Sequence, residues 1–320
     1  MTLAGPVGAI AQTAVVALGA PALVGTMRQV RARLEGRAGP GVAQPYRDLR
    51  KLLGKQSLTP EGTTVVFAAA PAVIAAATLI IAAAIPLATT ASPLDGGADL
   101  LAVVGLLLTG TVALVLAGLD TGTPFGGMGA SRETTIAALV EPTVLLAVFA
   151  LSIRAGSSNL AVIVADTARR PGHVLSPAGA LAFAALVVVV IAETGRLPVD
   201  NPATHLELTM VHEAMVLEYS GPKLAVIEWG AAMRLTVLLG LLVNLFLPWG
   251  VAGSHSGPLA VVLGLGAVVA KVAVAGTALA TGEVYLAKVR LFRVPELLAG
   301  SFLLGLLAVT ASYFLASPTV

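Results

Sequence analysis

Eight stretches of about twenty mostly apolar residues, spread along the whole chain, limit what this sequence can fold into. They fall near residues 5–27, 64–87, 99–119, 134–153, 178–194, 224–249, 258–281 and 295–316. Each is long enough to cross a bilayer as an α-helix. Strand-like period-2 alternation is absent, and Ala, Leu, Val and Gly dominate, which suits close helix packing through small residues. Only 11% of the 320 residues are charged and mean hydropathy is +0.93, against about 25% charged residues in soluble domains. The expectation is an all-α, polytopic membrane protein with about eight transmembrane helices, residues 1–320 forming one integral membrane domain. The first apolar run, Ala4 to about Val24, lacks a positive n-region and reads as a first span rather than a cleaved signal. No internal repeat is visible, which weighs against inverted-repeat transporters.

The basic residues set the expected topology. Arg28, Arg31, Arg33, Arg37, Arg47, Arg50, Lys51 and Lys55 lie between the first two runs. Arg132, Arg196, Lys223, Lys288, Arg290 and Arg293 fall on the same side, so fourteen of the 19 basic residues share it. The positive-inside rule makes that side cytoplasmic, with loops near 28–62, 120–133, 195–223 and 282–294, and leaves both termini outside a plasma or inner membrane. In the first of these loops Gly39-Pro40-Gly41 breaks any helix. Gln44-Pro45 then opens a short amphipathic helix with Tyr46, Leu49, Leu52 and Leu53 on its apolar side. Its Arg and Lys side chains read either as an anchor on lipid headgroups or as a basic platform for a partner.

The densest polar stretch, Glu193 to Lys223, holds four Glu, an Asp, an Arg, two His and a Lys between two apolar runs. Ionisable groups at a bilayer edge are costly and mark functional candidates. Asn201 can cap a helix starting at Pro202 and ending near Ser220-Gly221-Pro222. On it Glu207 and Glu218, eleven residues apart, would share a face. His205 and His212 would share another, and Glu213 a third, a pattern that fits a protein-lined or wet cavity rather than lipid. A zinc helix is not expected, because the second His of H-E-x-x-H is missing after His212-Glu213. No Ser/His/Asp triad, dinucleotide or phosphate-loop pattern appears, so the chain is expected to be non-catalytic alone. It has no cysteine, which excludes disulfides and thiolate-held clusters within it.

Further acids recur near the spans: Glu133, Glu141, Glu193, Glu228 and Glu283, with Arg234 and Lys271 inside spans. Read one by one they are ion pairs that specify packing. Read as a set they form a polar chain able to relay protons or field changes.

These residues carry a family resemblance. G-R-A-G-P-G-V-A-Q-P-Y-R-D-L-R-K-L-L at 36–53, G-M-G-A-S-R-E at 127–133 and L-V-E-P at 139–142 appear in order. E-T-G-R-L-P-V-D-N-P-A-T-H-L-E-L-T-M-V-H-E-A-M-V-L-E-Y-S-G-P at 193–222 and K-V-R-L-F-R-V-P-E at 288–296 follow. The chain resembles the membrane subunit shared by respiratory complex I (the NuoH/ND1 type) and membrane-bound group 4 nickel–iron hydrogenases. Gly41 after Gly-Pro, and R-L-P-V-D-N-P-A-T-H in place of an R-x-P-F-D-L-P-E-A-E pattern, favour the formate hydrogenlyase/hydrogenase-4 branch. They also put a bound quinone in doubt.

The resemblance implies a NuoH/ND1-like fold in a subunit that anchors a cytoplasmic arm. That arm comprises the hydrogenase large and small subunits, with the nickel–iron centre, and a ferredoxin-like iron–sulfur subunit; antiporter-like membrane subunits are the other expected partners. No cofactor or metal is expected in this chain, and no nucleic acid as partner. By the same likeness Glu207, Glu213 and Glu218 lie at a cavity below the last cluster, with Arg37, Arg196 and Asp200 nearby. Glu133, Glu141, Glu193 and Glu228 continue a coupling or proton path, and Arg47, Arg50 and Lys51 belong to the docking surface. The alternatives are a quinone-site subunit of a respiratory NADH dehydrogenase and an independent ion transporter.

Overall fold

The computed structural model describes residues 4–91, 98–200, 210–253, 256–287, 289 and 293–316, and among them every regular element is helical. In chain order these are α1 (Ala4–Leu34), α2 (Gln44–Leu53), α3 (Val65–Ala84), α4 (Leu100–Asp120), α5 (Pro124–Ala155) and α6 (Leu160–Arg169). A short 3₁₀ turn (Pro171–His173) precedes α7 (Pro177–Glu193), α8 (His212–Val216), α9 (Gly221–Phe246), α10 (Pro258–Tyr285) and α11 (Val294–Ala316). Seven helices, α1, α3, α4, α5, α9, α10 and α11, are long and apolar enough to span a membrane. The shorter apolar α7, of 17 residues, completes the eight expected. The protein is a multi-pass membrane protein.

Two boundaries differ from the hydropathy reading. α1 continues to Leu34 and α5 starts at Pro124, so residues 28–34 and 124–133 are helix rather than loop. The start of α5 is set by local chemistry: Thr123 accepts a hydrogen bond from Gly126 N–H and Pro124 occupies the first turn. Such signals act outside the apolar window. α6 was not expected at all. It is only 10 residues long, and Asn159 caps it by accepting from Ala161 and Val162.

α9 lies at the centre, packed against α1, α3, α7 and α10, and every residue from Val237 to Phe246 is buried. α5, α7 and α11 pack together on one side, α1 and α10 on another, and α3 and α4 link them. The apolar stretches therefore bury each other only in part. α10 and α11 are each 28% buried over their most apolar windows, as outer helices facing lipid or partners are.

At the end of the bundle where α1 and α10 finish, the connections are well tied. Gln29 donates to Ala38 O at 2.9 Å and accepts from Gly41 N–H at 2.8 Å, which fixes the Gly-Pro-Gly turn. The following chain crosses α1 at Gly25, where a Cβ would lie 2.1 Å from Val42 O, so a side chain there would push the loop away. α2 then lies across α1 and α9. Pro45, Leu49 and Leu52 face inward, while Tyr46 and Leu53 are 40% and 58% exposed, which narrows the expected apolar side. On the far side of α2, Tyr219 stacks on Phe67 with centroids 4.0 Å apart and donates to Phe67 O at 2.8 Å.

Candidate functional site

A cavity of about 410 Å³ opens at this end, enclosed by α1, α2, α5, α8, α9, α10 and the chain leaving α7. Its acids come from six helices and one connecting segment: Asp48 on α2, Glu133 on α5, Glu193 ending α7, Asp200 after it, Glu213 on α8, Glu228 on α9 and Glu283 on α10. Its cations are Arg28 and Arg31 on α1, Arg196 after α7, and Arg234 on α9. The apolar part of the wall includes Met27, Leu49 and Leu52.

Two buried ion-pair groups organise these charges. Arg234 pairs with Glu193 and also donates to Thr111 Oγ1 at 2.7 Å and Leu107 O at 3.1 Å. The Glu193 side chain is 4% exposed and that of Arg234 14%. Glu283 on α10 is the centre of the second group. Its two oxygens lie 3.3 Å from Arg196 Nη1 and 3.4 Å from Arg31 Nη1, and its side chain is 2% exposed. One carboxylate thus ties α1, α10 and the segment after α7 together. Taking paired charges out of water is worthwhile only with additional hydrogen bonds, which Arg234 has.

The segment after α7 is folded back on itself and on α5. Arg196 N–H reaches Ile191 O, Asp200 N–H reaches Arg196 O, and Arg132 donates to Met210 O at 2.6 Å. Asp200 is 4% exposed. Burial pushes the Arg196 guanidinium below its ordinary pKa, opposed by Glu283. Burial, helped by the Arg234 charge, pushes the His212 imidazole down to about 4, so it is neutral at pH 7. Burial raises the Tyr219 hydroxyl pKa, keeping it a donor.

Of the residues expected at a site, Glu133, Glu193, Asp200, Glu213, Glu228 and Arg196 line the cavity together. Glu141 lies eight residues beyond Glu133 on α5, about 12 Å along the helix axis. Its Oε1 is buried and accepts no hydrogen bond from the described residues. Asn201, Pro202, His205 and Glu207 lie outside the described residues. The face expected to be shared by Glu207 and Glu218 therefore includes a residue outside the described ones, and Glu218 is not among the cavity-lining residues. The described helix ends at Val216 and Glu218 is exposed, while Tyr219 is drawn inward onto Phe67. Arg37 is also not at the cavity: its side chain is 70% exposed and pairs with Glu35. Arg47, Arg50 and Lys51 are exposed on the outer side of α2.

Arg31, Arg234, Glu283 and His212 are cavity residues that the sequence reading left out of the site. Arg234 had a signal, an arginine inside an apolar run. Glu283 had the signal of an acid beside an apolar run, but its two partners, 252 and 87 residues away, did not show in the sequence. Among the described residues no group of three or more His, Cys, Asp or Glu could hold a metal ion.

The chain is similar to proteins of respiratory membrane complexes. Formate hydrogenlyase subunit 4 of Escherichia coli (strain K12) is 36% identical over 289 residues, covering 90% of this chain and 92% of that protein. Hydrogenase-4 component C of the same organism is 36% identical over 242 residues, 76% of this chain and 75% of that protein. NADH-quinone oxidoreductase subunit 8 of Rhodothermus marinus is 30% identical over 243 residues, 72% of this chain and 69% of that protein. A solved chain of an archaeal respiratory membrane complex, the membrane-bound sulfane sulfur reductase, superposes with a TM-score of 0.82. It covers 96% of this chain and 98% of its own at 19% identity, which shows a shared fold. The sequence model described as NADH dehydrogenase matches residues 7–313, and the chain belongs to that family, in the branch of the hydrogenase-4 and formate hydrogenlyase membrane subunits.

Proposed function

We propose that this chain is the membrane-anchoring and coupling subunit of an energy-converting nickel–iron hydrogenase complex, in which it docks a cytoplasmic redox arm and links electron transfer to ion movement. The observation that carries this reading is the joining of two features at one end of the bundle. An exposed basic helix, α2 with Arg47, Arg50 and Lys51, forms one wall of a cavity whose acids come from six helices and the segment after α7. The basic face suits an acidic protein surface. The cavity beneath it suits a response to charge arriving from that surface, because ion pairs in a low-dielectric site feel nearby charge strongly.

Glu133, Glu193, Glu213 and Glu228 would exchange protons or shift pairing with Arg234 and Arg196 when the redox state above them changes. Glu141, further along α5, would pass that change toward antiporter-like membrane partners. The positive-inside reading orients the cavity to the cytoplasm, with both termini outside the cell membrane. A chain without cysteine offers no thiolate for an iron–sulfur cluster or nickel–iron centre. Those groups would belong to hydrogenase large and small subunits and a ferredoxin-like subunit.

The test is purification of the chain from its own membrane with mild detergent and identification of what accompanies it. Nickel–iron hydrogenase subunits and hydrogen-linked activity are the expected result. Quinone-dependent NADH oxidation by the purified complex would support the respiratory dehydrogenase reading instead. Ion transport by the chain alone in vesicles would overturn the subunit reading.

A further inference from the structure

The opposite half of the bundle holds a second polar cluster, separate from the cavity. There α3 stops at Ala84 and α9 at Phe246, and the chains leaving them run side by side. Ala252 N–H donates to Ala88 O and Thr90 N–H donates to Ala252 O, each at 2.9 Å. α10 passes close by: a Cβ on Gly264 would lie 2.4 Å from Ala88 O. Non-helical backbone inside a membrane bundle must find partners for its carbonyls within the protein. Two buried amides supply some. Gln12 Nε2 donates to Ala82 O and Ile85 O, each at 2.9 Å, and Asn244 Nδ2 donates to Pro86 O at 2.8 Å and Leu87 O at 2.7 Å.

Lys271, near the middle of α10, supplies the rest. Its Nζ donates to Asn244 Oδ1 at 2.5 Å, Leu247 O at 3.0 Å and Trp249 O at 3.1 Å. Three ammonium protons meet three neutral oxygens. Among the described residues, no carboxylate lies within ion-pair distance of it. The counter-charge is the C-terminal end of α9, worth about half a negative charge. Carbonyl oxygens at an unwound helix C-terminus are the ligand set with which broken membrane helices hold monovalent cations. An ammonium group is close to potassium in size.

We propose that Lys271 is a tethered cation: its ammonium occupies a monovalent-cation cage formed by Asn244 Oδ1, Leu247 O and Trp249 O, and keeps that cage closed to free ions. A resident positive charge also repels other cations. This assignment does not depend on the function proposed for the cavity.

The experiment compares the protein, purified with the subunits that accompany it, as wild type, Lys271→Ala and Lys271→Met. Alanine empties the cage, and methionine fills it without charge. Melting is followed in potassium, sodium and choline chloride at equal ionic strength. The wild type should melt alike in all three. Lys271→Ala should melt several degrees lower in choline and recover most of that loss, saturably, in potassium or sodium. Lys271→Met should melt lower in every salt without recovery. A Lys271→Ala protein indifferent to potassium and sodium, or a Lys271→Met protein rescued equally well, would overturn the proposal. If Lys271→Ala assembles only when potassium or sodium is present, that is the same rescue; failure to assemble in any salt counts against the cage.

Discussion

Removing the Arg234 guanidinium leaves three acceptors behind: the Glu193 carboxylate, Thr111 Oγ1 and Leu107 O. With side chains 4% and 14% exposed, Glu193 and Arg234 are too buried for water to screen them as it would a surface pair. Deleting one partner of such a pair costs about 3–5 kcal/mol, because the other charge stays buried alone. Replacing both with apolar residues of similar volume is neutral or stabilising by about 1–4 kcal/mol. Arg234→Met and Glu193→Met should therefore each weaken the protein strongly, and the double variant should recover most of the loss. Because membrane complexes unfold irreversibly, the assay is the half-life of the detergent-purified protein at one elevated temperature. A barrier lowered by about 3 kcal/mol shortens that half-life by about two decades. The double-mutant cycle should show a coupling energy of at least about 1 kcal/mol. Single variants as durable as the parent, or single effects that merely add in the double, would refute a desolvated, mutually dependent pair. The double variant also separates stability from function, since it should fold yet fail to couple.

Other consequences are as direct. His212 has its pKa lowered to about 4 in the folded protein against 6.5 when free. The unfolded chain thus binds the extra proton first, and stability should fall as pH drops from 6.5 toward 4, by about 1.4 kcal/mol per pH unit at most. His212→Gln should flatten that part of a stability–pH profile. Charge reversal at Arg47, Arg50 and Lys51 should release the peripheral arm while the membrane part stays intact, readable as a smaller band on native gels. Tyr219→Phe keeps the ring stack with Phe67 but loses the bond to Phe67 O, and should cost about 1 kcal/mol in a melt. Gly25→Val must displace the chain at Val42 O, and protease cleavage between α1 and α2 should rise.

Much of the fold was legible because lipid solvation imposes length and hydropathy on each span. All eight apolar runs became helices, with α7 the shortest. What hydropathy cannot see is where a helix continues past its apolar part. The extra turns of α1 and α5 carry Arg31 and Glu133, and so bring charged groups to the cavity. The site was legible in kind, as acids clustered between apolar runs, but not in detail. Glu283 joins it through Arg31 and Arg196, contacts that only tertiary packing creates. Glu218 is exposed in the turn after α8, while its neighbour Tyr219 turns inward to stack on Phe67. Charge in a sequence marks the region, and packing chooses the members.

The central claim is that the acids of α5 carry a redox event in the cavity toward the membrane partners. Glu141 tests it best, because it lies beyond the cavity wall and its buried Oε1 accepts no hydrogen bond from the described residues. In vesicles containing the purified complex, ions moved per hydrogen formed or consumed would be measured for wild type and Glu141→Gln. The account predicts that hydrogen turnover persists while that ratio falls sharply. An unchanged ratio in a fully assembled Glu141→Gln complex would contradict it.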